Sequence, residues 1–88
     1  MAWQIEYSPG ADKLFGKLDR QAQKKITQYL REKISPLENP RSRGEGMSAN
    51  MAGLWRYRVE DYRIVCEILD EKIIILVVKV GHRRDIYD

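Results

Sequence analysis

The stretch LWRYRVEDYRIVCEILDEKIIILVVKV, beginning at Leu54, has a period of two that extended chain satisfies, because successive strand residues point to opposite faces. The pattern breaks at Glu60-Asp61 and again at Asp70-Glu71, so the spacing predicts strands over 54–59, 62–69 and 72–80. Connectors of two residues imply antiparallel hairpins. With Glu60-Asp61 in the first turn, Val59 faces Tyr62, Arg58 faces Arg63, and Arg56 faces Val65. Trp55, Tyr57, Val59, Tyr62, Ile64 and Cys66 then share one face of the sheet, while Arg56, Arg58 and Arg63 share the other.

The first half of the chain supplies what must cover the apolar face. WQIEY alternates Trp3, Ile5 and Tyr7 with Gln4 and Glu6, a short strand. Ser8 suits a helix N-cap, Pro9 suits the first helical position, and Leu14, Phe15 and Leu18 mark a buried side. Asp19 is a second N-cap candidate. After it Ala22, Ile26, Tyr29, Leu30 and Ile34 recur at three- and four-residue spacing, in a helix that should stop before Pro36. Its other side carries Arg20, Lys24, Arg31 and Lys33, either a solvated surface or a basic one for docking on a large RNA. SPLENPRSRGEGMSANMAG has no period and reads as a long loop, with Arg41 and Arg43 either touching a nucleic-acid backbone or keeping the loop soluble. The order is β-α-α-β-β-β: a single two-layer α+β domain over residues 1–88, a helical hairpin packed on a mainly antiparallel sheet.

Several classes of function drop out on composition. Eighty-eight residues hold one core, and a chain of this size buries only about 60–65% of its unfolded surface. Cys66 is the single cysteine and His82 the single histidine, which leaves no internal disulfide and no Cys/His spacing for a metal. His82 is expected to be a bystander, and Cys66 and Glu67 structural. The amino terminus lacks the pattern of a secretion signal, and the run Ile73–Val78 is too short to span a bilayer as a helix, so a cytoplasmic protein is expected. The net charge of +3 is slight.

Charge position matters more than charge total. Glu60, Asp61, Asp70 and Glu71 fall in turns, away from the strand arginines. Arg58 opposite Arg63 is a like-charge cross-strand pair, which by itself destabilises a sheet. Glu67 is the one acid this reading puts on that face, too little for three guanidinium groups. Either carboxylates of the same chain resolve the conflict or an external polyanion does, since arginine forks match phosphate oxygens bidentately. Beyond Val80, with Gly81 permitting a turn, HRRDIY places Arg83, Arg84 and Tyr87 just past the sheet. A terminal tyrosine there is a frayed residue, an apolar plug, a base-stacking group or a proton acceptor whose pKa neighbouring arginines would lower.

LWRYRVEDYRIV and VGHRRDIY, with the SPGADKLFGKLDRQAQKKI hairpin and the ENPR loop, resemble the RelE group of the RelE/ParE toxin superfamily over nearly the whole chain. The resemblance implies the RelE-like microbial RNase fold and a toxin of a type II toxin–antitoxin pair. Such a protein is a metal-independent, cofactor-free endoribonuclease that cuts mRNA in the A site of the 70S ribosome, inhibits translation, and is silenced by a RelB-like antitoxin. By position it puts Arg63 on the transition-state-stabilising arginine, Arg83 near the leaving group and Tyr87 on the terminal tyrosine. Arg56 and Arg58 fall where some relatives have lysines. It further implies attack by the substrate's own 2′-hydroxyl, giving a 2′,3′-cyclic phosphate. Arginine cannot supply the neutral amine that a lysine could, which leaves Tyr87 as the candidate base. Three alternatives stand beside this: a ParE-like inhibitor of DNA gyrase, a non-catalytic RNA- or ribosome-binding module, and a degenerate toxin retained as its antitoxin's partner.

Overall fold

A computed structural model describes residues 2–86. The chain forms β1 (Gln4–Tyr7), α1 (Pro9–Gly16), α2 (Arg20–Tyr29), β2 (Glu45–Gly46), β3 (Trp55–Val59), β4 (Tyr62–Leu69), β5 (Ile74–His82) and a last helical turn α3 (Arg83–Ile86). The five strands lie in the order β1-β5-β4-β3-β2, antiparallel except for the β1–β5 pair. The α+β two-layer architecture is as expected, with one strand more than the sequence pattern revealed.

Local chemistry starts α1 and α2 where anticipated. The Ser8 hydroxyl accepts from the Ala11 N–H at 3.1 Å and the Asp19 carboxylate from the Ala22 N–H at 2.8 Å, contacts worth about 1 kcal/mol each. The Gln23 amide then donates to the carbonyls of Phe15 and Leu18, satisfying acceptors at the end of the first helix and fixing the hairpin. Beyond Tyr29 the helix widens to a π-helical turn, Leu30–Ile34, closed by the Ser35 N–H donating to the Leu30 carbonyl. Ser35 also exchanges hydrogen bonds with Trp3 (2.6 and 2.8 Å), locking the exit of the helix to the entry of β1. Pro36, with no N–H to give, ends the run.

Ile26, Leu30 and Ile34 pack on Tyr57, Ile64, Cys66, Ile75, Val77 and Val80 in one core between the layers. Each fully buried aliphatic side chain contributes about 2 kcal/mol relative to exposure. Val59 also belongs to this core, and Trp55 and Tyr62 flank it. The register of the first hairpin is as deduced: Val59↔Tyr62, Arg58↔Arg63 and Arg56↔Val65.

The second hairpin departs from simple alternation. Val65 pairs with Lys79 but Cys66 pairs with Val77, so Val78 is an extra residue in β5. Strict alternation would have sent Lys79 to the core alongside Ile75 and Val77. The bulge instead keeps Val77 and Val80 inside and turns Lys79 to the opposite face. The 72–80 strand is also displaced: Asp70–Lys72 form a 3-10 turn, Ile73 is left-handed, and pairing runs on to His82. Gly81 therefore sits inside β5 opposite Arg63, and the chain turns only at Arg83.

The segment expected to be an unstructured loop is largely fastened down. Pro40–Ser42 and Ala49–Met51 form short 3-10 turns, and Glu45–Gly46 pair with Arg56 and Trp55. The buried Tyr57 hydroxyl donates to the Pro40 carbonyl at 2.7 Å, and the Trp55 indole N–H to the Arg43 carbonyl at 2.7 Å. Among the described residues no helix is long and apolar enough to cross a membrane.

Candidate functional site

The sheet face away from the helices carries Arg56, Arg58 and Arg63, as the register requires, and the bulge adds Lys79. Lys79 went unrecognised because the apolar run IIILVVKV looks wholly buried. A lysine inside such a run was the available sign that the strand must twist out of phase.

Glu45 was the other omission, and it corrects the view of Glu67 as the one acid on this face. Strand β2 sets Glu45 directly beside Arg56, and its Oε1 bonds both Arg56 and, at 3.0 Å, Arg58. The Arg56 side chain is only 15% exposed, whereas that of Arg58 is 62% exposed and reaches solvent. Arg63 takes another course: its guanidinium donates to the carbonyls of Glu60 at 2.9 Å and Tyr62 at 3.0 Å. Burial, and then the charges of Arg58 and Arg63, hold the Arg56 guanidinium below its ordinary pKa. Cationic groups here exceed what Glu45 and Glu67 neutralise.

The position of Glu45 depends on the residue before it. Gly44 has φ +77°, and a Cβ there would stand 2.3 Å from the Arg56 carbonyl oxygen and 2.8 Å from the Trp55 indole nitrogen. Only glycine permits that approach of β2 to β3.

Helix α3 packs on β4 and β5, over the arginine side. Ile86 is 2% exposed, with its Cδ1 3.6 Å from where a Gly81 Cβ would be, and Val65 on that face is fully buried outside the helix-side core. The Arg83 N–H donates to the Asp61 carbonyl at 2.7 Å, and its side chain, 62% exposed, stands 4.0 Å from the Asp61 carboxylate. Arg63 and Arg83 are thus both tied to the Glu60-Asp61 turn. Between α3 and the 45–51 segment lies a hollow of about 560 Å³, lined in part by Glu45, Asn50, Met51, Arg56, Lys79 and Ile86. Arg84 is exposed on α3, its N–H donating to His82 Nδ1. Tyr87 lies outside the described residues.

Other candidates go elsewhere. Arg41 makes a bidentate pair with Asp70 at 3.0 and 2.9 Å, a bond that holds the Asp70 carboxyl below its usual range. Asp70 lies seven residues from Arg63, roughly 20 Å along the strand, so Arg41 is not brought to the cluster. Arg43 is exposed beside β2. His82 pairs with Tyr62 on the helix side and stacks edge-on against it, away from the arginines. No group of three metal-binding side chains occurs among the described residues.

Residues 5–87 match the family described as ParE toxin of type II toxin-antitoxin system, parDE. The fold is that of solved toxins. The RelBE2 toxin–antitoxin complex of Mycobacterium tuberculosis superposes with a TM-score of 0.84 at 21% identity, covering 97% of this chain and 95% of that one. The isolated RelE toxin of E. coli gives 0.70 at 22% identity, with 92% and 84% covered. The RelB-RelE complex of Methanococcus jannaschii gives 0.67 at 20% identity, with 94% and 95% covered. No curated protein sequence matches the chain.

Proposed function

The chain belongs to the ParE toxin family of type II toxin–antitoxin systems, in the RelE/ParE superfamily, and on that premise we propose that it is a ribosome-dependent endoribonuclease that cuts mRNA in the A site. The observation that carries this reading is the preassembled cationic face: Arg56, Arg58, Arg63 and Lys79 on one side of the sheet, with Glu45 as the direct carboxylate partner of two of them. A phosphate is the anion that such a set fits.

In this mechanism the 2′-hydroxyl of the substrate attacks its own 3′-phosphate. The bond to the 5′-oxygen of the next nucleotide breaks, leaving a 2′,3′-cyclic phosphate and a 5′-oxyanion that takes its proton from solvent water to become a 5′-hydroxyl. Negative charge accumulates on the phosphoryl oxygens, and arginines already in place stabilise it more than they stabilise the ground state. Arg63 takes the transition-state role and Arg83 the departing oxygen, assisted by Arg58. Arg56 supports the phosphate, and Tyr87 accepts the 2′-proton. Arg43 and Arg84 contact the RNA backbone, with Arg41 a weaker contact while Asp70 holds it. The general-base set is sparse, so the ribosome must order the messenger, and naked RNA should be cut poorly. The partner is a RelB-like antitoxin bearing acids and leucines, a reading supported by the antitoxin complexes among the similar folds. The absence of any helix able to cross a membrane among the described residues is compatible with action in the cytoplasm.

Primer extension on a defined messenger in a reconstituted translation mix tests the reading. Cuts within the A-site codon should appear with the unaltered protein and fall at least about a hundredfold with Arg63→Ala or Tyr87→Phe. Intact messenger would overturn it. Inhibition of DNA gyrase is the second reading, favoured by the family's ParE description. Intact messenger together with lost supercoiling activity would establish it. Translation arrest that survives Tyr87→Phe without cleavage would point to a binding module.

A further inference from the structure

Lys79 lies half-buried on the arginine face because β5 carries a bulge at Val78. Bulges beside sites commonly re-aim one side chain, and this one turns an ammonium away from the hydrophobic core to the lining of the hollow shared with Arg56. Its Nζ donates to the Ile86 carbonyl at 3.1 Å. An ammonium has three N–H donors, and that bond uses one. Lys25 is paired with Glu60 and Arg41 with Asp70, but among the described residues Lys79 forms no ion pair. Asn50, Met51 and Ile86 also line the hollow of about 560 Å³, which gives it both polar and apolar surface.

We propose that Lys79 is a phosphate-contacting residue, holding the RNA backbone in the hollow next to Arg56. The inference rests on the RNA-cleaving reading of the same face, and it adds a residue that lies on neither of the arginine-bearing strands. Its bond to Ile86 keeps the ammonium at a fixed depth, so that a phosphate entering the hollow meets a charge already in place. A lysine serving only to cap α3 would need the donor and not the charge, and this difference makes the proposal testable.

The experiment measures binding of a short single-stranded 2′-O-methyl RNA, which cannot be cut, as salt is raised. Each lost phosphate contact flattens the plot of log K against log salt by about 0.7. Lys79→Gln keeps a donor for the Ile86 carbonyl but removes the charge, and should flatten the slope by about that amount. Lys79→Arg should restore it. Arg63→Ala is the reference for the face as a whole. A flattened slope for Arg63→Ala with an unchanged one for Lys79→Gln overturns the assignment of Lys79 alone. Unchanged slopes for both, or no binding by the unaltered protein at low salt, overturn the RNA reading together with it.

Discussion

Arg58 and Arg63 stand directly opposite each other in the β3–β4 ladder, yet their guanidinium groups part company. Arg58 turns to the Glu45 carboxylate and Arg63 to the carbonyls of Glu60 and Tyr62. A like-charge cross-strand pair is tolerated because each partner has its own acceptor on a different side. Of these acceptors only the Glu45 carboxylate is charged, and the neutral carbonyls that meet Arg63 leave its positive charge uncompensated.

Replacement of Glu45 by Gln should show both sides of that balance. Losing the carboxylate between Arg56 and Arg58 should lower stability by about 1 kcal/mol, Glu45 being half exposed. It should also tighten binding of single-stranded RNA at low salt. Urea unfolding and a titration of a non-cleavable RNA read the two effects. Weaker RNA binding in a folded Glu45→Gln protein would contradict the account of the face.

Gly44→Ala should be far more disruptive than its single methyl suggests. The left-handed backbone costs a non-glycine residue about 1–2 kcal/mol, and the Cβ would collide with the Arg56 carbonyl. The expected outcome is detachment of β2 and loss of the Glu45–Arg56 contact, seen as a fall in melting temperature exceeding that of Glu45→Gln. Equal melting temperatures for the two variants would argue against it.

Tyr57→Phe removes the hydroxyl that meets the Pro40 carbonyl and leaves that acceptor unsatisfied beneath the 40–42 turn. The cost should be about 1–2 kcal/mol. Near the midpoint, 1 kcal/mol corresponds to a fall of roughly 4–8 °C for a domain of this size. Amide exchange should quicken in residues 41–46 before it does in α2.

Alkaline pH should destabilise the fold. Burial first, then the charges of Cys66 and Asp12, pushes the Tyr7 pKa up to about 12, and burial also raises that of Tyr57. Between about pH 10 and pH 12 the unfolded chain has released these protons while the folded one keeps them, so stability falls as pH rises. Cys66, whose thiol pKa burial also raises, begins the loss near about pH 8.5, so urea midpoints should be level up to about pH 8, decline above it and fall more steeply above about pH 10. A level midpoint at about pH 11 would refute the assignment.

Cys66 is fully buried, and burial pushes its thiol pKa upward. It should resist alkylation in the native protein and react stoichiometrically in denaturant, since the thiolate is the reactive species. Rapid native-state labelling would show that the sheet–helix interface opens.

Periodicity determined most of the scaffold. Period two from Leu54, a polar pair at Glu60-Asp61 and helical spacing from Ala22 to Ile34 sufficed for the layers, the β3–β4 register and the face shared by Arg56, Arg58 and Arg63. These are local properties, since side-chain direction follows from strand or helix geometry within a few residues. The acceptors of those arginines, the added lysine and the fate of Arg41 were settled only by the folded chain. Glu45 reaches Arg56 and Arg58 because Gly44 lets β2 approach β3, eleven residues away in sequence from Arg56. Lys79 reaches the same face because the β4–β5 ladder absorbs an extra residue to keep Val80 buried. Arg41 is drawn to Asp70 by a turn that no periodicity announces. Each is a non-local match of charge or volume, and such matches exist only once the strands have paired.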